Sequence, residues 1–293
     1  MGKKIAFGWY GGKYSHLKFL LPLLPQTKHY CEPFGGSAAV LLNREPSPVE
    51  TYNDLDSELV NFFRVLRNEK EELIEQIGLT PFSKEELAIA ASEPEGEISD
   101  LERARRFFVC ARQVRTGLAQ TASVGRWAHC RLTSRAGMAG AVSRWLGSVD
   151  GLAEIAQRLL RIQIENAPAV EVIDRYDSEQ TLFYCDPPYV HESRGDSNAY
   201  AFEMTDDEHR ELAETLNSVD GLVALSGYHC DLMDELYGDW TSVEYTKSAH
   251  SVKQDRTEVL WVNYPVHKNK DGKYVCQTPQ QFSKTLFSGQ QAV

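Results

Sequence analysis

The chain has 293 residues, 42% of them hydrophobic, and a net charge of −11. That size and apolar content suit one large domain, or a domain with an insert, around a buried core. Apolar runs such as "FLLPLLP" are short and proline-broken, and none follows the basic start, so neither a membrane span nor a secretory leader is expected.

The first motif in chain order is "GWYGGKYS" (8–15). It fails the P-loop pattern, with Phe7 where the first glycine belongs and Tyr14 after Lys13. A Gly-Gly turn carrying Lys13 among aromatics can close over a carboxylate-bearing ligand; the competing reading is a plain turn. "HYCEPFGGSAAVLLN" (29–43) reads as strand, glycine turn and helix. Gly35 and Gly36 permit close backbone approach, and a helix starting near Ser37 would aim its free N–H groups at a ligand. Tight internal packing is the alternative. "VETYNDLDSELVNFFRVLRN" (49–68) repeats the theme, with an amphipathic helix from about Ser57. Asp54 falls at the strand end, where an acid can accept from ribose hydroxyls. Asp56 and Ser57 are available to cap the helix, which leaves Asp54 less needed there.

A polar, glutamate-rich stretch runs to about Leu101. Residues 101–149 then carry nine arginines, no lysine and one acid, Glu102, a net +8 that leaves −19 for the rest. This asymmetry points to a local anionic partner, against the blander reading of a solvated helix face. The segment reads as helix followed by irregular structure, with glycines at 117, 125, 137, 140 and 147. After Ala153 strands and helices alternate again: "LLRIQIENA" and "TLFYC" as strands, "TDDEHRELAETLNSV" as a helix capped by Thr205 or Asp206, "GLVALSG" as a strand, "YHCDLMDELY" as a helix, "EVLWVNY" as a last strand. The polar tail from about His267 is expected to be disordered. Such alternation predicts a doubly wound, mostly parallel sheet with ligands at the carboxyl ends of its strands. The segment at about 70–150 interrupts it as a separate lobe beside that edge. The six cysteines lack Cys-x-x-Cys spacing, so free cytoplasmic thiols and no metal site are expected.

"TLFYCDPPYV" (181–190) carries the chemistry. Proline cannot donate to a sheet ladder, so the strand must stop at Asp186. Asp186 and the bare carbonyl of Pro187, held by Pro188, form two acceptors facing one way. Their complement is an amine with two N–H donors, such as the exocyclic amine of adenine or cytosine. Tyr189, read as an exposed ring, offers a face on which a flipped base can stack.

With "WYGGK", "EPFGGSAAV", "YNDLD" and "YCDPPY" in this order, the chain resembles the Dam-type, alpha-group DNA adenine N6-methyltransferases over about residues 5–264. The resemblance implies a Rossmann-like doubly wound mixed sheet with a smaller, mainly helical DNA-recognition lobe. It divides the chain into catalytic parts at 1–69 and 151–266, a recognition lobe at 70–150 and a tail at 267–293. It implies S-adenosylmethionine as cofactor and double-stranded DNA as substrate, with no metal, in the cytoplasm. Trp9, Tyr10 and Lys13 would approach the cofactor from the N-terminal loop. Glu32, Pro33, Phe34, Gly35, Gly36, Ser37 and Ala38 would line its methionine side. Asp54 would hold the ribose, with Leu55 beside the adenine, and Asp186 would lie by the reactive methyl. The chain departs from the family where an acid and an aromatic usually frame the cofactor's adenine: Pro168 and Ala169 stand there. Arg112, Arg115, Arg126, Arg131 and Arg135 flank or lie in the glycine-punctuated loop and are the candidates for DNA contact, whereas Arg103, Arg105 and Arg106 read as a helix surface. The alternatives are cytosine N4 methylation, RNA as substrate, and an inactive homologue that binds DNA or S-adenosylmethionine.

Overall fold

A computed structural model describes residues 4–9, 11–117, 119–191, 202–247 and 256–276. In chain order come α1 (Leu17–Leu20), β1 (His29–Glu32), β2 (Val49–Asn53), α2 (Ser57–Asn68), α3 (Lys70–Leu79), α4 (Lys84–Ala90) and α5 (Asp100–Gln113). A small hairpin, β3 (Ser134–Arg135) and β4 (Met138–Ala139), precedes α6 (Gly140–Asp150), α7 (Leu152–Leu159), β5 (Gln163–Glu165) and α8 (Ala169–Tyr176). The rest is β6 (Thr181–Cys185), α9 (Asp206–Ser218), β7 (Leu222–Gly227), α10 (Asp231–Tyr237), β8 (Thr241–Lys247), β9 (Arg256–Val262), β10 (Val266–Lys268) and β11 (Tyr274–Cys276).

The chain forms two compact units. One comprises Ser15–Gly35, Arg44–Asn53 and Ala167–Val293. Six of its strands lie side by side in the order β2-β1-β6-β7-β9-β8. The first four are parallel; β9 is reversed, pairing antiparallel with both β7 and the edge strand β8. β6 is buried at every residue, as a central strand rich in aromatic and apolar side chains should be. Phe183, Val223, Leu225 and Trp261 from the sheet pack with Val172 and Ile173 of α8, Leu212 and Leu216 of α9, and Leu232 and Met233 of α10. α9 starts on a reciprocal capping box between Thr205 and Glu208, with acids in its first turn.

The other unit comprises Met1–Tyr14, Gly36–Asn43 and Asp54–Asn166. Asp56 caps α2 by accepting from Glu58 and Leu59 N–H. α2 packs on α5 through Phe62 stacked on Phe108, 5.6 Å between ring centres and 10° between planes. Asn61 donates to the Asp100 carbonyl, Arg64 pairs with Asp100, and Arg103 pairs with Glu58 across the same contact.

Several expectations need correction. No regular helix follows the glycines: 36–43 is a run of turns, because Gly36 and Ala38 both take left-handed backbone, at φ 49° and 54°. The glutamate-rich stretch holds two helices, α3 and α4, the second capped by Ser83. Neither α6 nor α8 was signalled, and β8 extends the sheet beyond the strand expected to be last. The tail does not begin in disorder: Val266–Lys268 and Tyr274–Cys276 pair as a hairpin turned at Gly272, whose φ is 74°. Residues 277–293 lie outside the described residues.

Candidate active site

In the sheet unit the chain runs outward from β1 to β2 on one side and from β6 to β7 on the other. The order therefore reverses between β1 and β6, the place where open α/β sheets form a ligand crevice at their carboxyl ends. The Glu32–Gly35 turn follows β1 and the Asp186–Tyr189 turn follows β6, so both motifs leave adjacent strands at the same edge. β6 stops at Cys185, as the prolines require. Asp186 is half-buried, and Pro187 is buried. Burial pushes the Tyr184 hydroxyl and the Cys185 thiol well up, and the negative charge of Asp186 adds to both. Glu32 is 2% exposed and accepts from the Tyr30 hydroxyl at 2.7 Å. Arg44 lies over the Tyr30 ring, 3.9 Å from its centre.

Tyr189 departs from expectation. The ring is 5% exposed rather than open to solvent. Its hydroxyl donates to Glu258 Oε2 at 2.8 Å, and its ring meets that of Tyr228 edge to face. Sequence reasoning also missed Asn53. Its amide donates to the carbonyls of Pro33 and Ala167 and its oxygen accepts from Ala167 N–H, which fixes the β1 turn against the start of α8. Pro168 is the exposed N-cap of α8 and Ala169 its first residue. Gly35 is required by Tyr52: an added Cβ would sit 2.2 Å from that ring.

In the helical unit, Asp54 is held by backbone donors on both oxygens, Gly36 N–H on Oδ2 at 2.8 Å and Asp56 N–H on Oδ1 at 2.9 Å. Burial pushes its carboxyl up to about 6, against the pull of those N–H groups. A half-buried carboxylate in that state gains from further donors on its remaining lone pairs. Asn166 donates to the carbonyls of Asp54 and Leu55, and Leu55 is half exposed. The Trp9 indole lies against Gly36, where a Cβ would meet it at 2.9 Å. Both glycines of the motif thus serve close internal ring packing, whatever else approaches them. Ser37 and Ala38 are buried. Lys13 is 4% exposed and donates to the Gly11 carbonyl at 2.8 Å. Tyr10 lies outside the described residues.

Arg103, Arg105 and Arg106 form ion pairs with Glu58, Asp100, Glu86 and Glu102. Arg115 and Arg126 are exposed, and their guanidinium groups donate to the nearby carbonyls of Gly125 and Thr121. Arg131 is exposed as well. Arg112 and Arg135 line a cavity of about 770 Å³ together with Lys4, Arg144, Asp150 and Glu154. Burial, and then the charge of Arg144, lower the Arg112 pKa, and Arg112 donates to the Arg144 carbonyl at 3.3 Å. Arg144 was not among the expected contacts. It sits on α6, a helix without a strong sequence signal.

Comparison with known proteins bears on the chemistry. The type II methyltransferase M1.LlaDCHI of Lactococcus lactis subsp. cremoris is 27% identical over 87% of this chain and 94% of its own. The DNA N-6-adenine-methyltransferase of Escherichia phage P1 is 26% identical over 73% of this chain and 28% of its own. The DNA adenine methylase of Vibrio cholerae serotype O1 is 26% identical over 65% of this chain and 67% of its own. Among the described residues, no helix is long and apolar enough to cross a membrane, and no cluster of His, Cys, Asp and Glu is placed to hold a metal ion. The D12 class N6 adenine-specific DNA methyltransferase family matches residues 9–257, from the Trp9 loop through the Asp-Pro-Pro-Tyr turn into β9. With that family matched over most of its length, and its motif turns at the switch point of a mixed sheet, the chain belongs to the D12 class of N6 adenine-specific DNA methyltransferases.

Proposed function

We propose that this DNA adenine methyltransferase uses S-adenosylmethionine and acts on an adenine flipped out of duplex DNA. The observation that carries the reading is the pair of motif turns leaving β1 and β6 at one sheet edge. The half-buried, backbone-held Asp54 suits a ribose diol, which supplies two O–H donors to an acceptor that has lone pairs to spare. When bound, S-adenosylmethionine supplies an electrophilic methyl group on a sulfonium.

Trp9, Lys13 and Glu32 through Ala38 take the methionine side in this reading, and Leu55, Pro168 and Ala169 the adenine side. With an alanine and a proline at that last position, the adenine is held by backbone and Leu55 rather than by an acid and an aromatic ring. The amine of the target base donates to the Asp186 carboxylate and the Pro187 carbonyl. Those acceptors draw its nitrogen out of conjugation with the ring, so the lone pair can point along the line of attack. As positive charge grows on the nitrogen, Asp186 stabilises it. Water takes the proton after transfer. Tyr189 stacks on the base; since little of its ring reaches solvent in the free protein, DNA binding must uncover the face.

Residues 70–150 form the recognition lobe in this reading, with Arg112, Arg115, Arg126, Arg131 and Arg135 on DNA and Arg144 beside Arg112. Methyl incorporation from labelled S-adenosylmethionine into adenine-containing duplex tests the whole. Incorporation into cytosine, or into RNA alone, overturns it.

A further inference from the structure

Tyr189 and Tyr228 share one carboxylate. Tyr189 Oη donates to Glu258 Oε2 at 2.8 Å and Tyr228 Oη to Oε1 at 3.1 Å. The two rings meet at 4.8 Å and 85°. Glu258 is enclosed, its side chain 15% exposed, with His16 Nε2 4.0 Å from Oε1. The His16 ring stands edge-on to Tyr245, which stacks on Phe19.

Topology explains how a residue so late in the chain reaches this place. β9 runs against its neighbours, with Val259 opposite Gly227. The beginning of β9 therefore lies at the edge where the parallel strands end, and Glu258 arrives beside the Asp-Pro-Pro-Tyr turn. A phenol hydroxyl prefers the plane of its ring, so a fixed acceptor fixes the ring axis, while the Tyr228 edge limits rotation about it.

We propose that Glu258 is a positioning residue for base capture, holding the Tyr189 ring in the orientation on which the flipped adenine stacks. This rests on the reading of Tyr189 as the stacking platform. Glu258 touches neither base nor cofactor in this account; it acts through two hydroxyls. A carboxylate accepts from both at once, which few other side chains can do.

The test uses the full chain, labelled S-adenosylmethionine and mixed-sequence duplex DNA. Glu258→Ala and Tyr189→Phe should each lower kcat by about 10- to 100-fold, the effect of losing a hydrogen bond to a charged acceptor. KM for DNA and cofactor affinity should stay at the parental values, which a general loss of structure would not leave alone. Glu258→Gln should recover most of the rate, its oxygen accepting from one hydroxyl while its amide donates to the other. The double variant Tyr189→Phe/Glu258→Ala should be no slower than the slower single variant, since both remove one interaction. Should Glu258→Ala fail to fold, Glu258→Gln and Tyr189→Phe still decide. Additive losses, or parental kcat in Tyr189→Phe, overturn the inference. Parental kcat in Tyr189→Ala overturns the stacking reading itself, whereas a slow Tyr189→Ala beside a fast Glu258→Ala overturns only the role of Glu258.

Discussion

Asp54 should make cofactor capture depend on pH in a range where few carboxylates titrate. Burial holds its carboxyl at about 6 in the free protein, while Asp56 and Gly36 N–H groups pull the other way. Hydroxyl donors favour the ionised form, so binding competes with protonation. If only the ionised form accepts the ribose, affinity halves at pH 6 and falls about tenfold from pH 7 to pH 5. Binding near pH 6 should also release protons, visible as heats that differ between buffers. Stability runs in the opposite sense. A folded value of about 6 against an ordinary 3.8 means the fold tolerates the proton better than the charge. The contribution is full below the ordinary value and is lost as pH rises through about 6, at most ~3 kcal/mol. Calorimetric titration with S-adenosylmethionine at pH 5, 6 and 7 measures the first effect. Asp54→Ala should weaken binding by about 1.5–3 kcal/mol at pH 7 and flatten the profile. A parental affinity that is flat from pH 7 to 5, or a step at pH 6 that survives in Asp54→Ala, refutes the reasoning.

Asp186→Ala should cut turnover by roughly 100- to 1000-fold without changing the melting temperature by more than a surface substitution does; near-parental turnover removes Asp186 from the mechanism. Replacing each of Arg112, Arg115, Arg126, Arg131, Arg135 and Arg144 by alanine should, where the residue contacts phosphate, flatten the slope of log affinity against log salt by about 0.9. Arg103→Ala, Arg105→Ala and Arg106→Ala should leave that slope unchanged, because their guanidinium groups are already paired; a flattened slope in those three would reverse the division. Gly35→Ala should destabilise the protein by about 1–3 kcal/mol in urea, since its Cβ would drive into Tyr52. An unchanged midpoint would show that the ring moves freely.

What the sequence disclosed followed from local chemistry. The apolar run Thr181–Cys185 closed by two prolines is a central strand wherever it is met, and Thr205 with Glu208 announces the start of α9. Asp56 likewise betrayed α2, which it caps. The failures arose where distant parts decide. Ser37 should begin a helix by its glycines and alanines, yet Ala38 adopts left-handed backbone and the helix does not form. Tyr189 looked exposed because the residues after a Pro-Pro bend usually are; its partner Glu258 is 69 residues away and arrives only through the antiparallel pairing of β9. Arg112 and Arg115, three residues apart, read alike, but one lines a cavity and the other projects outward.

The contact between α2 and α5 limits how the segment at residues 70–150 can be exchanged among relatives. α5 opens the arginine-rich stretch, yet it is bolted to α2 by Phe62 on Phe108, by Asn61 and Arg64 at Asp100, and by Arg103 at Glu58. A graft joined at residues 69 and 150 would carry Asp100 and Arg103 into a foreign host while leaving Glu58 and Arg64 behind. Such a chimera would expose unmatched charges on a broken aromatic stack and fold poorly, whatever DNA it was meant to read. A graft spliced after Gln113, where α5 ends, would import the loop, the β3–β4 hairpin and α6 while keeping the host's own helix pair intact. If residues 70–150 read the target as proposed, the piece to transfer starts at the end of α5.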